Sequence, residues 1–514
     1  MGGGERGGAR PAAGGGDDAL GAGGGPEPGR RAGHRQDPHP ADAGPAGGAG
    51  AVRGGGPGLR PVHQPEVGRR GVQLPEDAQP AGAAGGLRSA GPPLGRAGLR
   101  VKKGGATVGP LEGIRVINWS QFTPSGAAAI LGDLGADVIK VEHPERGDAY
   151  RGMAAMYGEA MNMAGGRHVG FEAVNRNQRS ITLNLASPEG RELFCRLVAV
   201  SDVLITNFED RVRRKHRVDY DDLAAINPRL IYAVSSNFGP RGPLAGRRGF
   251  DQVAQARSGL MWAMGDREQE EPVQVVGGIC DQMAATVLVM GILAALVARE
   301  RDGMGQRLDS SLLGSMIHLQ SIGLTVASLR GRGWSRHDRR RTRNPLTNHY
   351  RCADGKWILF GEIQADRFWG EFCRALGLEE LEHDPRFATA MGGRRENAEE
   401  LIRILDRTLA TKTREEWIRI FEEQQVSFAY SPVQDYQEVL EDPQARENGY
   451  LVEYDHPAVG HPVRLVGHPV QYSRTPASIR RPAPEFGEHT EEVLSELLGC
   501  SWEEIAELRS KGAI

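Results

Sequence analysis

The first hundred residues of this 514-residue chain contain no Phe, Trp, Tyr, Ile or Lys, yet hold 30 of its 71 glycines and 13 of its 31 prolines. A stretch so short of large apolar side chains cannot bury a core, and it shows neither helical nor strand periodicity. Residues 1–108 are therefore expected to form a disordered Gly/Ala/Pro/Arg-rich extension. They also contain no apolar run of signal-peptide character. Absence of Lys and Ile beside abundant Arg, Gly and Ala is what translated GC-rich DNA upstream of a true start would give. An arginine–glycine arm for RNA is the functional alternative, but its 12 Arg are diluted by 9 acidic residues and no aromatic is present for base stacking.

Cysteine is scarce. The five, Cys195, Cys280, Cys352, Cys373 and Cys500, form no CxxC pair, which argues against a zinc knuckle or a disulfide framework and favours a reducing, cytoplasmic setting. Charge of one sign is also lacking: 63 basic and 66 acidic residues leave a net charge of -3, so no nucleic-acid partner is expected. The longest apolar run, residues 283–298, is interrupted by Gly291 and falls short of the ~20 residues a bilayer span needs. It reads as a buried core helix, and no membrane partner is expected.

From residue 110 onward the chain alternates strand and helix signals. Apolar runs at 114–118, 136–142, 180–185, 202–208 and 230–237 read as strands, with a helix at 127–134 and another capped by Ser187 with Pro188 at its first position. This predicts an α/β fold, a doubly wound, mostly parallel, Rossmann-like sheet with ligands at the carboxyl ends of its strands. The first strand–helix turn, residues 119–126, lacks the GxGxxG spacing of a dinucleotide site, which disfavours redox chemistry. After an Arg-rich connection at 330–343, a strand at 356–361 and helices at 366–376 and 414–424 predict a smaller α+β domain. Residues 488–514 read as helical and return to the large domain.

One segment carries chemistry. Gly277-Gly278-Ile279-Cys280-Asp281-Gln282 sets a carboxylate at the start of the apolar helix. Asp281 is either an N-cap, the common role of an Asp at such a place, or a nucleophile that the helix terminus keeps ionised while glycine amides hold an oxyanion. Cys280 offers a rival thiol nucleophile, although a small Cys there more often packs. The cluster Arg336, Arg339, Arg340, Arg341 and Arg343 is either a solvated connection or an anion contact.

The motifs PLEGIRVINWSQ, ILGDLGADVIKVEHPERGD, NRNQRSITLNL, SDVLITNF, INPRLIYAVSSNFGPRGP, GFDQVAQARSGLM, GILAALVARERDGMGQRLDSSLL, NPLTNHYRCADGKW and EFGEHTEEVLSELLG follow one another over some 400 residues. In this order and spacing the chain resembles the class III (CaiB/BaiF-type) CoA-transferases. The resemblance implies that Asp281 is a covalent nucleophile passing coenzyme A from an acyl-CoA to an acceptor organic acid through an aspartyl-CoA thioester. No permanently bound cofactor and no metal are implied; CoA is a substrate. CoA contacts are implied at Gln121, Phe122, His143, Asn207, Phe208, Lys215, Arg248 and Gly249, with Arg146 assisting. Interlocked, ring-like homodimers are implied too. The expected domain plan is a large-domain first part at 109–312, a linker at 313–343, a small domain at 344–445, and a return linker with the rest of the large domain at 446–514. Acyl-CoA racemases of the same family need a second proton-transferring group, and this chain has Phe250 where they carry His, which favours transfer. A non-catalytic CoA-binding or RNA-associated protein is the reading of another class.

Overall fold

The computed structural model describes residues 109–514 apart from Thr123, so the expected extension over residues 1–108 lies outside the described residues. Six parallel strands form the main sheet: β1 (Arg115–Trp119), β2 (Asp137–Glu142), β3 (Gln178–Thr182), β4 (Val203–Thr206), β5 (Ile231–Ser236) and β6 (Arg307–Ser311). Their order across the sheet is β3-β2-β1-β4-β5-β6, the doubly wound arrangement in which the direction of winding reverses between β1 and β4.

Alternate residues of these strands serve two layers, as a two-residue side-chain period requires. Ile117, Ile139, Ile181 and Leu204 point into one buried layer, where they meet Phe194 and Leu197 of helix α2 (Pro188–Ala199). Val116, Val138, Val203 and Ile231 point into the other, built from α1 (Pro124–Asp133) and the long helix α4 (Ile279–Asp302). Between the last two in sequence lies the short helix α3 (Asp251–Ser258). Small residues let α1 and α4 approach closely: a Cβ on Gly126 would stand 3.4 Å from the Ala285 Cβ and 3.9 Å from Gln282 Oε1. Thus α1 locates the first turns of α4 against the sheet.

Helix α4 is longer than the apolar run within it and is, by length and composition alone, long enough to cross a membrane. Its buried face, including Leu288, Ile292 and Leu296, lies on the sheet, and Arg299, itself buried, pairs with Asp202 at 2.9 Å. Polar β6 carries no apolar run; as an edge strand it pairs only with β5, so it needs none. Ser187 caps α2 as its sequence predicts, accepting from the Gly190 amide at 3.0 Å. Residues 313–343 include most of the helix Leu312–Leu319 and all of Ser321–Arg330.

A smaller antiparallel sheet, β7 (Thr347–Arg351), β8 (Trp357–Gly361) and β9 (Tyr430–Val433), is ordered β9-β8-β7. Its core is aromatic: Phe360, Phe372, Phe421 and Phe428 meet largely edge to face beneath the helices Ala365–Leu376, Ala398–Leu409 and Arg414–Glu423. The chain then returns to the large sheet. Residues 488–514 form two helices, Thr490–Leu498 and Trp502–Ser510, because Gly499 turns left-handed at φ 66° and Ser501 starts a new capping box. Val493, Leu494 and Ile505 complete the layer occupied by α2, and the His489 amide donates to the Ser180 carbonyl at 2.8 Å. Leu494 is fully buried there. Leu494→Ala is expected to lower unfolding stability by about 2–5 kcal/mol, measured by urea titration of Trp fluorescence, with the native circular dichroism unchanged.

Candidate active site

Helix α4 starts in an unusual way. Gly277 and Gly278 have φ of 92° and 71°, left-handed values that a side chain would strain, and Gly278 occupies the N-cap position without a side chain to accept a bond. The acceptor comes from another helix. Oδ2 of Asp251, the first residue of α3, receives the Cys280 amide at 2.7 Å and the Asp281 amide at 3.2 Å. Asp251 is held in turn by the Gln255 side-chain amide, and Gln255 also clamps the backbone of Val275, donating to its carbonyl at 2.8 Å and accepting from its amide at 2.9 Å. A capping carboxylate 30 residues upstream therefore sets the first turn of α4, with Asp281 in that turn as its third residue. Gly278, not Asp281, is the cap residue.

A cleft of 360 Å³ opens beside Asp281, lined also by Phe122, Tyr150, Asn207, Gly249, Phe250 and Asp251. Burial first, and then the Asp281 charge, push the Tyr150 phenol up to about 12. Burial and the Asp251 charge likewise raise Tyr157, against the opposing effect of a hydrogen bond with the Gly278 backbone. Both phenols therefore face the two carboxylates as protonated groups at neutral pH. Burial, then Asp251 and Asp281, push the Cys280 thiol up to about 12, and Cys280 is fully buried and does not line the cleft, which disfavours a thiol nucleophile.

A second cavity of 380 Å³ is lined by Gln121, His143, Arg146, Phe208, Lys215 and His216 among others. The divide between the two is the winding reversal of the sheet. There the turn after β1 and the turn after β4 are tied by a reciprocal pair: the Gln121 amide donates to Asn207 Oδ1 at 3.0 Å, and Asn207 Nδ2 donates to the Gln121 carbonyl at 2.8 Å. Phe122 is itself left-handed at φ 58°, a conformation costly for a bulky residue and held here by its neighbours.

The loop after β2, which carries His143 and Arg146, is pinned from beneath. Lys140 and Asp148 form an ion pair at 2.7 Å with both side chains fully buried, and the Lys140 ammonium also donates to the Ser120 carbonyl at 3.1 Å. Glu142 accepts two bonds from Arg151 at 2.9 and 2.8 Å, and others from the Asp148 amide and the Ser180 hydroxyl. Removing one partner from such a buried set leaves a charge unmatched, at a cost of about 3–5 kcal/mol.

Of the residues singled out from sequence, Asp281, Phe122, Asn207 and Gly249 line the cleft, and Gln121, His143, Phe208 and Lys215 line the second cavity. Arg248 lines neither; its exposed guanidinium pairs with Glu209 at 3.0 Å. The arginine cluster is largely engaged within the chain: Arg336 stacks on Trp262 with 4.2 Å to the ring centroid, Arg339 reaches Asp406 at 2.5 Å, and Arg340 reaches Glu268 at 2.8 Å. Sequence reasoning missed Asp251, Gln255, Tyr150 and Tyr157. The four-residue spacing of Asp251 and Gln255 on one helical face was the available signal for the first two; nothing local marks the tyrosines.

Among the described residues no group of three or more His, Cys, Asp or Glu side chains is placed to hold a metal ion. A profile of the family described as "CoA-transferase family III" matches residues 111–490. The chain belongs to that family. Its members include the (R)-2-hydroxy-4-methylpentanoate CoA-transferase of Clostridioides difficile, which is 30% identical over 75% of this chain and 95% of its own length. The succinyl-CoA:glutarate CoA-transferase of Homo sapiens is 31% identical over 79% of this chain and 90% of its own. A crystal structure of a CAIB/BAIF family protein from Brucella suis superposes with a TM-score of 0.66 at 30% identity, covering 76% of this chain and 100% of that one. As a family III CoA-transferase, the protein moves coenzyme A between carboxylic acids, a reaction that such enzymes run through a catalytic aspartate.

In this CoA-transferase the cap on α4 is separable from the chemistry it positions. Asp251→Ala removes the oxygen that receives two amides, so a stability loss of about 0.5–2 kcal/mol is expected in chemical denaturation. Turnover should fall by more than about tenfold because the first turn of α4 is no longer held to sub-ångström precision.

Proposed function

We propose that Asp281 is the covalent nucleophile that carries coenzyme A from an acyl-CoA to a free acid. The observation that carries this reading is the position of the Asp281 carboxylate in the first turn of α4, at the floor of the cleft, where the helix terminus favours an anion. In the first step an Asp281 oxygen attacks the thioester carbonyl and expels CoA thiolate, leaving a mixed anhydride. The thiolate then attacks the aspartyl carbonyl and expels the donor acid, giving an aspartyl-CoA thioester. An acceptor carboxylate attacks that thioester, thiolate leaves again, and its attack on the acceptor's acyl carbon restores Asp281 as a carboxylate. One thioester is exchanged for another, so the cycle needs no external energy.

The first step is uphill, since a carboxylate with pKa near ~4 displaces a thiolate whose acid is near ~8.5. Binding energy from distant parts of CoA has to offset this. The second cavity suits that purpose: His143, Arg146 and Lys215 offer cationic or hydrogen-bonding groups to phosphates, and Gln121 and Phe208 line the same cavity. Amides of the left-handed Gly277–Gly278 turn are the proposed oxyanion donors. Phe250 lies at the cleft against Phe122, with ring centroids 6.2 Å apart, and has no proton to exchange; this favours transfer over racemisation.

The working unit is a homodimer in this reading. Met290 and Val297 of α4 and Ile317, Ile322 and Leu329 of the following helices are exposed apolar residues within 40 positions of one another, surface that a second copy would cover. Sedimentation equilibrium should give twice the chain mass at micromolar concentration, and a monomer would refute the assembly. For the chemistry, incubation with an acyl-CoA should place a CoA-sized mass on the peptide holding Asp281. Asp281→Asn should abolish that mass and lower turnover by on the order of 10³-fold or more; a variant turning over at the parental rate would remove Asp281 from the reaction.

A further inference from the structure

The walls of the Asp281 cleft carry information about the acyl group. Away from the second cavity Phe122, Met153, Met156, Val174, Phe250 and Leu312 supply apolar surface, and Ser235, Ser236, Asn237, Gln252 and Gln282 supply neutral hydroxyls and amides. Among the described lining residues the charged groups are Asp251 and Asp281, both carboxylates; Arg, Lys and His do not occur in the lining. Tyr150 and Tyr157 add phenols that burial and those same carboxylates keep protonated. His143, Arg146 and Lys215 belong instead to the other cavity, beyond the Gln121–Asn207 tie.

Such a cleft treats one and two carboxylates differently. The reacting carboxylate of an acid loses its charge on becoming an acyl group, whereas a second carboxylate on the same chain would stay ionised in a cleft whose lining offers it neutral hydroxyls and amides but no cation. It would also share the cleft with the carboxylate of Asp251, whose Oδ2 is committed to the two amides at the start of α4. No guanidinium or ammonium in the lining offsets that desolvation and repulsion.

We infer that the enzyme acts on monocarboxylic acids with an apolar, branched or aromatic chain and discriminates against dicarboxylic acids. This rests on the reading of Asp281 as nucleophile. The full chain would be incubated separately with 4-methylpentanoyl-CoA, 3-phenylpropanoyl-CoA, succinyl-CoA and glutaryl-CoA, and the rate of CoA loading onto the Asp281 peptide followed by mass spectrometry. Loading from the two apolar thioesters is expected to be at least about tenfold faster than from the two dicarboxylic ones. Met153→Arg, which adds a cation to the wall, is expected to shift the glutaryl to 3-phenylpropanoyl ratio upward by about tenfold. Equal or faster loading from the dicarboxylic thioesters, or an unmoved ratio in the variant, overturns the inference while the adduct upholds the nucleophile. Absence of an adduct from all four overturns both.

Discussion

The carboxylate of Asp251 is the point on which the site depends. A helix of 24 residues ends in amides that must find acceptors, and α4 begins with two glycines that offer none. Borrowing the acceptor from α3 ties two helices and the Gly277–Gly278 turn into one unit, and the Asp281 side chain inherits its direction from that unit. A local Ser or Asp cap would have satisfied the amides equally well, but it would not have coupled the position of Asp281 to the wall of the cleft. The cap also shapes the electrostatics, since burial first and then Asp251 raise the neighbouring Tyr157 phenol and the Cys280 thiol.

The sheet supplies the second constraint. Strand order reverses between β1 and β4, so the turns that follow them diverge and leave a gap at their carboxyl ends. Asn207 bridges that gap through both its side-chain atoms, and on either side of the bridge lies a cavity of similar size, one without a basic side chain among its described lining and one edged by basic groups. Buried Lys140, Asp148 and Glu142, with half-buried Arg151, hold the loop that forms the basic edge. Polar groups in the interior thus serve to position loops whose own sequences contain little to order them.

Sequence legibility follows the range of the interactions involved. Strands β1, β2, β4 and β5, buried on both faces, announce themselves as apolar runs, and Ser187-Pro188 reports a helix start from two adjacent residues. Edge strand β6 was not legible because its partner is on one side only, so Arg307 and Asp309 are tolerated. Expected strand 180–185 is observed as Gln178–Thr182: its ladder with β2 stops where β2 stops, and the Asn184 amide turns away to the Ala513 carbonyl. Asp281 was legible as a carboxylate at a helix start, with two chemical meanings. Which residue caps that helix was not, because Asp251 lies 30 positions away and no local pattern encodes the contact.

The return of the last helices to the first sheet has a consequence for how the polypeptide is made. Val493, Leu494 and Ile505 fill a layer founded by strands that leave the ribosome some three hundred residues earlier. Until translation reaches them, the part of that layer not covered by α2 stays open to water. During synthesis the nascent enzyme therefore carries an unfinished large lobe, and that uncovered apolar patch is where a holding chaperone would find its grip.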